Sequence, residues 1–186
     1  SRVPHAHARS SGPRSTRSPP MAVPTILFLH QNFPGQFRHL ARHLALDRGW
    51  RVVALGEAAN LERQMPVEGV EAYGYRFAPS KPSGHPYLAG LETQVRQGQA
   101  VLRALLRLKA RGLAPQLICA HPSWGEALFI RQAYPDAKLI DYCEFFYRSQ
   151  GADVGFDPEF PAPDIDALCR LGLRNAAQLQ ALADCD

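Results

Sequence analysis

A chain of 186 residues has room for one ordinary domain with its own core, and its 46% apolar and 20% charged residues are the mix of a globular protein. No stretch reaches the roughly 18 apolar residues of a membrane-spanning helix, which argues against a transmembrane segment and leaves only peripheral membrane contact open. The net charge of +4 comes from Arg2, Arg9, Arg14 and Arg17; from Met21 onward 17 basic residues face 17 acids, so no nucleic-acid partner is expected.

Residues 1–20 are rich in Ser, Pro and Arg and have no periodic apolar pattern, so they read as a disordered basic tail. A transit peptide has a similar composition, but four prolines oppose its amphipathic helix. The expected organisation is therefore this tail ahead of a start at Met21, then one domain over 21–186.

Thr25–Leu29 (TILFL) is a short apolar run without alternation, as expected of a strand buried on both faces. From Gln36, the residues Phe37, Leu40, Ala41, Leu44 and Ala45 recur at helical spacing and stop at Gly49. Arg51–Leu55 is a second buried strand and Val70–Tyr75 a shorter third. A loop follows over 79–87. Leu88, Leu91, Val95, Leu102, Leu105 and Leu106 then predict a long helix to Arg111. Leu117–Ala120 is a strand, HPSWGE a loop opening a short helix to about Tyr134, and Lys138–Tyr142 a fifth strand. After an Asp-, Gly- and Pro-rich loop to Pro163, Asp164 can cap a last helix with Ile165, Leu168, Leu179 and Leu182 on one face.

Strands alternating with helices give an α/β class: a Rossmann-like, doubly wound parallel sheet. Ligands of such sheets bind beyond the carboxyl ends of the strands, so functional residues belong just after Leu29, Leu55, Ala120 and Tyr142. The loop His30–Phe37 (HQNFPGQF) places Gln31, Asn32, Gly35 and Gln36 there. Gly35 beside a helix N-terminus can admit an anion, or Pro34–Gly35 can simply make the turn; neither G-x-G-x-x-G nor a P-loop is present. In His121–Glu126, Ser123 and Glu126 have capping-box spacing. His121, first after a buried strand and at the mouth of the expected crevice, can donate to a sugar hydroxyl or be an ordinary core histidine. Beyond the fifth strand, Glu144 and Arg148 can face the crevice and bind hydroxyls or phosphate. Tyr142, Phe145, Phe146 and Tyr147 can form a stacking wall or belong to the core.

His39 and His43 share a helical face but lack a third ligand, and read as surface residues. Cys119, Cys143, Cys169 and Cys185 have neither zinc-site nor disulfide-framework spacing and read as buried free thiols of a cytoplasmic protein. Clustered acids, wanted after the first strand of a flavodoxin-like signalling domain, are replaced by His30-Gln31-Asn32.

The runs ILFLHQNFPGQFRHLARHLA, ICAHPSWGEALFI, LIDYCEFFYRSQGADVGFDPEFP and LRNAAQLQALADCD resemble the N-terminal domain of bacterial family 4 glycosyltransferases of the GT-B architecture, over Thr25–Asp186. The resemblance implies a retaining transferase that moves a sugar from a nucleoside-diphosphate sugar to a hydroxyl acceptor without a metal or other cofactor. It implies that Gly35 approaches the donor diphosphate and that His121 contacts the donor sugar as the catalytic residue. Gln31, Asn32, Gln36, Glu144 and Arg148 are the accompanying substrate-binding candidates. Two features depart from the family: one glycine rather than two in the first loop, and no pair of glutamates separated by seven residues. The expectation is a truncated chain whose donor domain is absent and which is inactive alone. A non-catalytic carbohydrate- or acceptor-binding module is the alternative.

Overall fold

The computed structural model describes residues 23–78, 84–149, 151, 154, 156, 157, 159 and 161–186. The tail over 1–20 and five of the eleven residues of the GADVGFDPEFP run lie outside them. Five strands, β1 (Thr25–Leu29), β2 (Arg51–Glu57), β3 (Val70–Tyr75), β4 (Leu117–Ala120) and β5 (Lys138–Asp141), pair in the order β3-β2-β1-β4-β5, all parallel. This is the expected Rossmann-like α/β sheet. The chain moves outward from β1 to β3, then returns to add β4 and β5 on the other side. The crevice between the ends of β1 and β4 is thus the topological switch point.

Successive strand residues point to opposite faces, and both faces are covered. Leu27, Leu29, Val53, Leu55, Ile118 and Leu139 face one core, closed by Val101 and Leu105 of α3 (Ala89–Ala110), Ile130 of α4 (Ile130–Ala133) and Ala181 of α6 (Ala176–Asp184). Ile26, Phe28, Val52 and Ala54 face the other with Phe33, Phe37 and Ala41, the last on α1 (Arg38–Leu46). Two buried faces explain why TILFL shows no polar alternation. Each fully buried Leu, Ile or Phe contributes about 1.5–3 kcal/mol.

Several local expectations are corrected. No helix begins at Ser123: the chain turns until Ile130, because Glu126 points into the protein instead of back to Ser123. The last helix is two, α5 (Ile165–Leu173) and α6, with the break at Arg174–Asn175 resetting the helical phase. Ile165 and Leu179 are exposed, and α6 buries Ala177, Gln178 and Ala181 instead. Asp164 does cap α5, accepting from the Ala167 amide at 2.6 Å. On α3, Leu105 is buried as expected, but Leu88 and Leu106 face solvent; Gln97, Gly98, Val101, Ala104 and Leu108 make the rest of the core face. The four cysteines are free, yet Cys119 alone is buried, while Cys143 and Cys169 are exposed. A short α2 (Ala58–Leu61) after β2 carries no expected signal.

Candidate functional site

His30 and His121 are the first residues beyond β1 and β4, so they straddle the switch point. Ladder-like bonds hold them there: the His30 amide donates to the Leu55 carbonyl at 3.2 Å and the His121 amide to the Leu29 carbonyl at 2.9 Å. The Tyr142 amide reaches the Ala120 carbonyl at 2.8 Å, bringing the post-β5 segment to the same rim. The two imidazoles lie 4.8 Å apart between centroids, and the Phe37 ring lies edge-on to both His30 and Tyr142. Glu144 completes the group, with its Oε2 3.4 Å from His121 Nε2. The three turns therefore converge on one edge of the sheet.

His121 is not at the mouth of the crevice but on its floor, 2% exposed, and His30 is 4% exposed. Burial pushes the His30 pKa down to about 4, with His121 adding to the shift; burial also lowers that of His121, opposed by Glu144. Both rings are thus neutral at pH 7. His30 Nδ1 accepts from the Asn32 amide at 2.9 Å, which places the ring proton on Nε2. That N–H has no hydrogen-bond partner among the described residues, and neither ring nitrogen of His121 has one. Gly35, at φ +44°, lies against His30; a Cβ there would sit 3.1 Å from Nε2 and close off the unpaired donor. Buried imidazole donors without protein partners, beside a glycine that leaves space, suit a hydroxyl-rich or anionic ligand.

The other candidates divide. The Gln31 amide donates to Glu126 Oε1 at 2.9 Å, and Gln31 Oε1 accepts from Gln97, whose amide also reaches the Tyr75 hydroxyl. Gln31 is therefore engaged inside the protein. Asn32 Oδ1 accepts from Asn60 at 2.6 Å. Gln36 is exposed beside His30 and favours its protonated form. Glu144 joins the imidazole pair, whereas Arg148 is exposed and pairs with no described residue. Tyr142, Phe145 and Phe146 are exposed along the rim rather than in the core, as is Trp124. Tyr147 is half-buried under Arg174, its backbone gripped by the Asn175 side chain. His39 is exposed and His43 pairs with Asp47, so neither belongs to the site.

Glu126 is the residue that sequence reasoning misassigned. It is 1% exposed, its Oε2 has no hydrogen-bond partner, and burial pushes its pKa up to about 7 against the pull of nearby backbone amides. The apolar run ALFI directly after it was the signal of its burial; the S-x-x-E spacing masked it. Among the described residues no group of three or more His, Cys, Asp or Glu could hold a metal ion.

Two of the solved structures that match do so only distantly. A UDP-glucose: anthocyanidin 3-O-glucosyltransferase in complex with UDP matches at 10% identity and TM-score 0.41, covering 64% of this chain and 29% of that one. A variant of Os79 from O. sativa in complex with UDP matches at 13% identity and TM-score 0.38, covering 63% and 28%. The chain thus spans less than a third of either structure. A comparison with curated proteins gives no match. The model of the glycosyl transferase family 4 group matches residues 48–186, which include β2 to β5 and the loops bearing His121 and Glu144. The chain belongs to the glycosyl transferase family 4 group.

Proposed function

We propose that this domain is the acceptor-side half of a retaining transferase that moves a sugar from a nucleoside-diphosphate sugar to a hydroxyl acceptor. The observation that carries the reading is the pair of buried, neutral imidazoles at the switch point, with His30 Nε2 and His121 Nδ1 unpaired among the described residues and Gly35 leaving space beside them. The transfer breaks the bond from the anomeric carbon to the diphosphate oxygen and forms one to the acceptor oxygen, whose proton passes to the departing diphosphate. Charge then develops on the leaving diphosphate and along the sugar ring. Neutral N–H donors already fixed in a poorly solvated floor stabilise such charge without reorganising. His121 is the residue nearest this role, and Glu144 orients it from outside. Gly35 begins a 3₁₀ turn that runs into α1, whose first turn carries no acid, and the positive end of the helix dipole there favours a diphosphate. Tyr142, Phe145, Phe146 and Trp124 offer rings on which a sugar can stack. No resident cofactor enters this scheme.

The test is to incubate the full-length protein with a panel of nucleoside-diphosphate sugars and polyol acceptors. The readouts are released nucleoside diphosphate and, by NMR, the anomeric configuration of the product. Acceptor-dependent release with retained configuration is expected. A folded full-length protein that turns over none of the donors contradicts transfer, and an inverted product contradicts retention.

A further inference from the structure

We infer that Glu126 is a positioning residue that sets which nitrogen of His30 carries the ring proton, by holding the residue between His30 and Asn32. Its effect on turnover rests on the transfer reading above; its effect on the ring does not. The Asn32 amide donates to His30 Nδ1 at 2.9 Å, which leaves the proton on Nε2, beside the space at Gly35. That bond spans two residues, so it lasts only while Gln31 between them is fixed.

Gln31 is held at three points. Its carbonyl accepts from the Glu57 amide at 3.0 Å and from Asn60 Nδ2 at 3.3 Å, and its side-chain oxygen accepts from Gln97 at 3.1 Å. Its own amide donates to Glu126 Oε1 at 2.9 Å. Glu57 ends β2, Asn60 lies on α2 and Gln97 on α3. Glu126 alone comes from the loop that begins at His121, so its side chain ties the two histidine-bearing turns together across the switch point. It does so at 1% exposure and with Oε2 unpaired among the described residues. Burying a carboxyl with one oxygen unused is unfavourable for stability alone. The contact it makes with the other oxygen fixes the one peptide on which the His30 tautomer depends. With the Gln31 amide released, the turn rotates, the Asn32 amide leaves Nδ1, and the proton can move to that nitrogen. The donor beside Gly35 is then lost.

The experiment is proton–nitrogen NMR correlation of the histidine rings at about pH 8, where they are neutral. It compares the 186-residue chain with Glu126→Gln and Glu126→Met, and His30 is assigned by the signals lost in His30→Gln. The parent should carry the His30 proton on Nε2. Glu126→Gln should match it, because the amide oxygen replaces Oε1. Glu126→Met, of similar length and without an acceptor, should shift the proton to Nδ1 or set it exchanging between the two. In the full-length protein, Glu126→Met should lower kcat for transfer about tenfold at unchanged donor KM, and Glu126→Gln should restore it. The ring measurement needs neither donor nor acceptor, so failure of the transfer reading leaves it standing. Three results overturn the inference: a proton on Nδ1 in the parent, an unchanged ring in folded Glu126→Met, or a shifted ring in Glu126→Gln. Should Glu126→Met not fold, the first and third still decide. Parent-like kcat in a variant whose ring has shifted overturns the link to turnover.

Discussion

The unpaired nitrogens of His30 and His121 are the unusual feature at the scale of single residues. A buried donor without a partner is destabilising by about 1–3 kcal/mol, and two adjacent rings carry that burden at the place where the fold opens to ligand. The His30 pKa, pushed down to about 4, means that folding favours its neutral form; the stability this contributes is full above pH 6.5 and is lost as pH falls toward 4. Histidine NMR should show the His30 ring still neutral at pH 5, whereas a midpoint near 6.5 contradicts its burial. Gly35→Ala should raise the cost of the left-handed turn by about 1 kcal/mol and perturb the His30 resonances in the same spectra. Glu126 has the opposite sign. Its pKa is raised to about 7, so the stability of its neutral form is full below about 4.5 and is lost as pH rises through 7. Glu126→Gln keeps an acceptor for the Gln31 amide and removes the charge. In urea melts the variant should gain on the parent between pH 5 and 7.5; a constant difference contradicts the assignment.

Between elements, the tightest junction is where α3 meets the turn after β4. Gly98 and Gly125 touch there: a Cβ on Gly98 would lie 2.7 Å from the Gly125 carbonyl, and one on Gly125 would collide with the Gln94 carbonyl. Gly125 also sits at φ +100°, which side chains rarely adopt. Gly125→Ala should therefore be destabilising by about 3 kcal/mol or more in denaturant melts and displace the loop that carries Glu126. A loss below 1 kcal/mol contradicts this packing. The strands were legible because doubly buried strands announce themselves as unbroken apolar runs, as in TILFL and LICA. The helices were less so. Leu88, Leu105 and Leu106 belong to one leucine-rich pattern, yet of the three only Leu105 is buried, and periodicity alone does not say which side turns inward. The Ser123–Glu126 spacing satisfies a local motif, but a contact 95 residues away, to the Gln31 amide, wins the carboxylate. Contacts of that range leave no trace in local pattern.

For the whole molecule, the strand order explains why the sites could be named before their geometry was seen. A parallel sheet with a switch point gathers the first residue after each central strand, and His30 and His121 occupy those positions. What sequence could not supply was depth. It placed His121 at a mouth, while the ring lies buried on a floor with Glu144 beside it. It also offered Gln31 and Asn32 as ligand contacts, whereas both side chains bind Gln97 and Asn60. The proposed chemistry belongs to the carboxyl rim and not to the opposite edge, where exposed Asp136 precedes β5. The direct test is turnover of the full-length protein with His121→Ala at the rim and Asp136→Asn at the far edge. His121→Ala should reduce kcat by about a hundredfold in a protein that circular dichroism shows to be folded, while Asp136→Asn retains parent activity. Parent-like turnover in His121→Ala, or its loss in Asp136→Asn, would contradict the account.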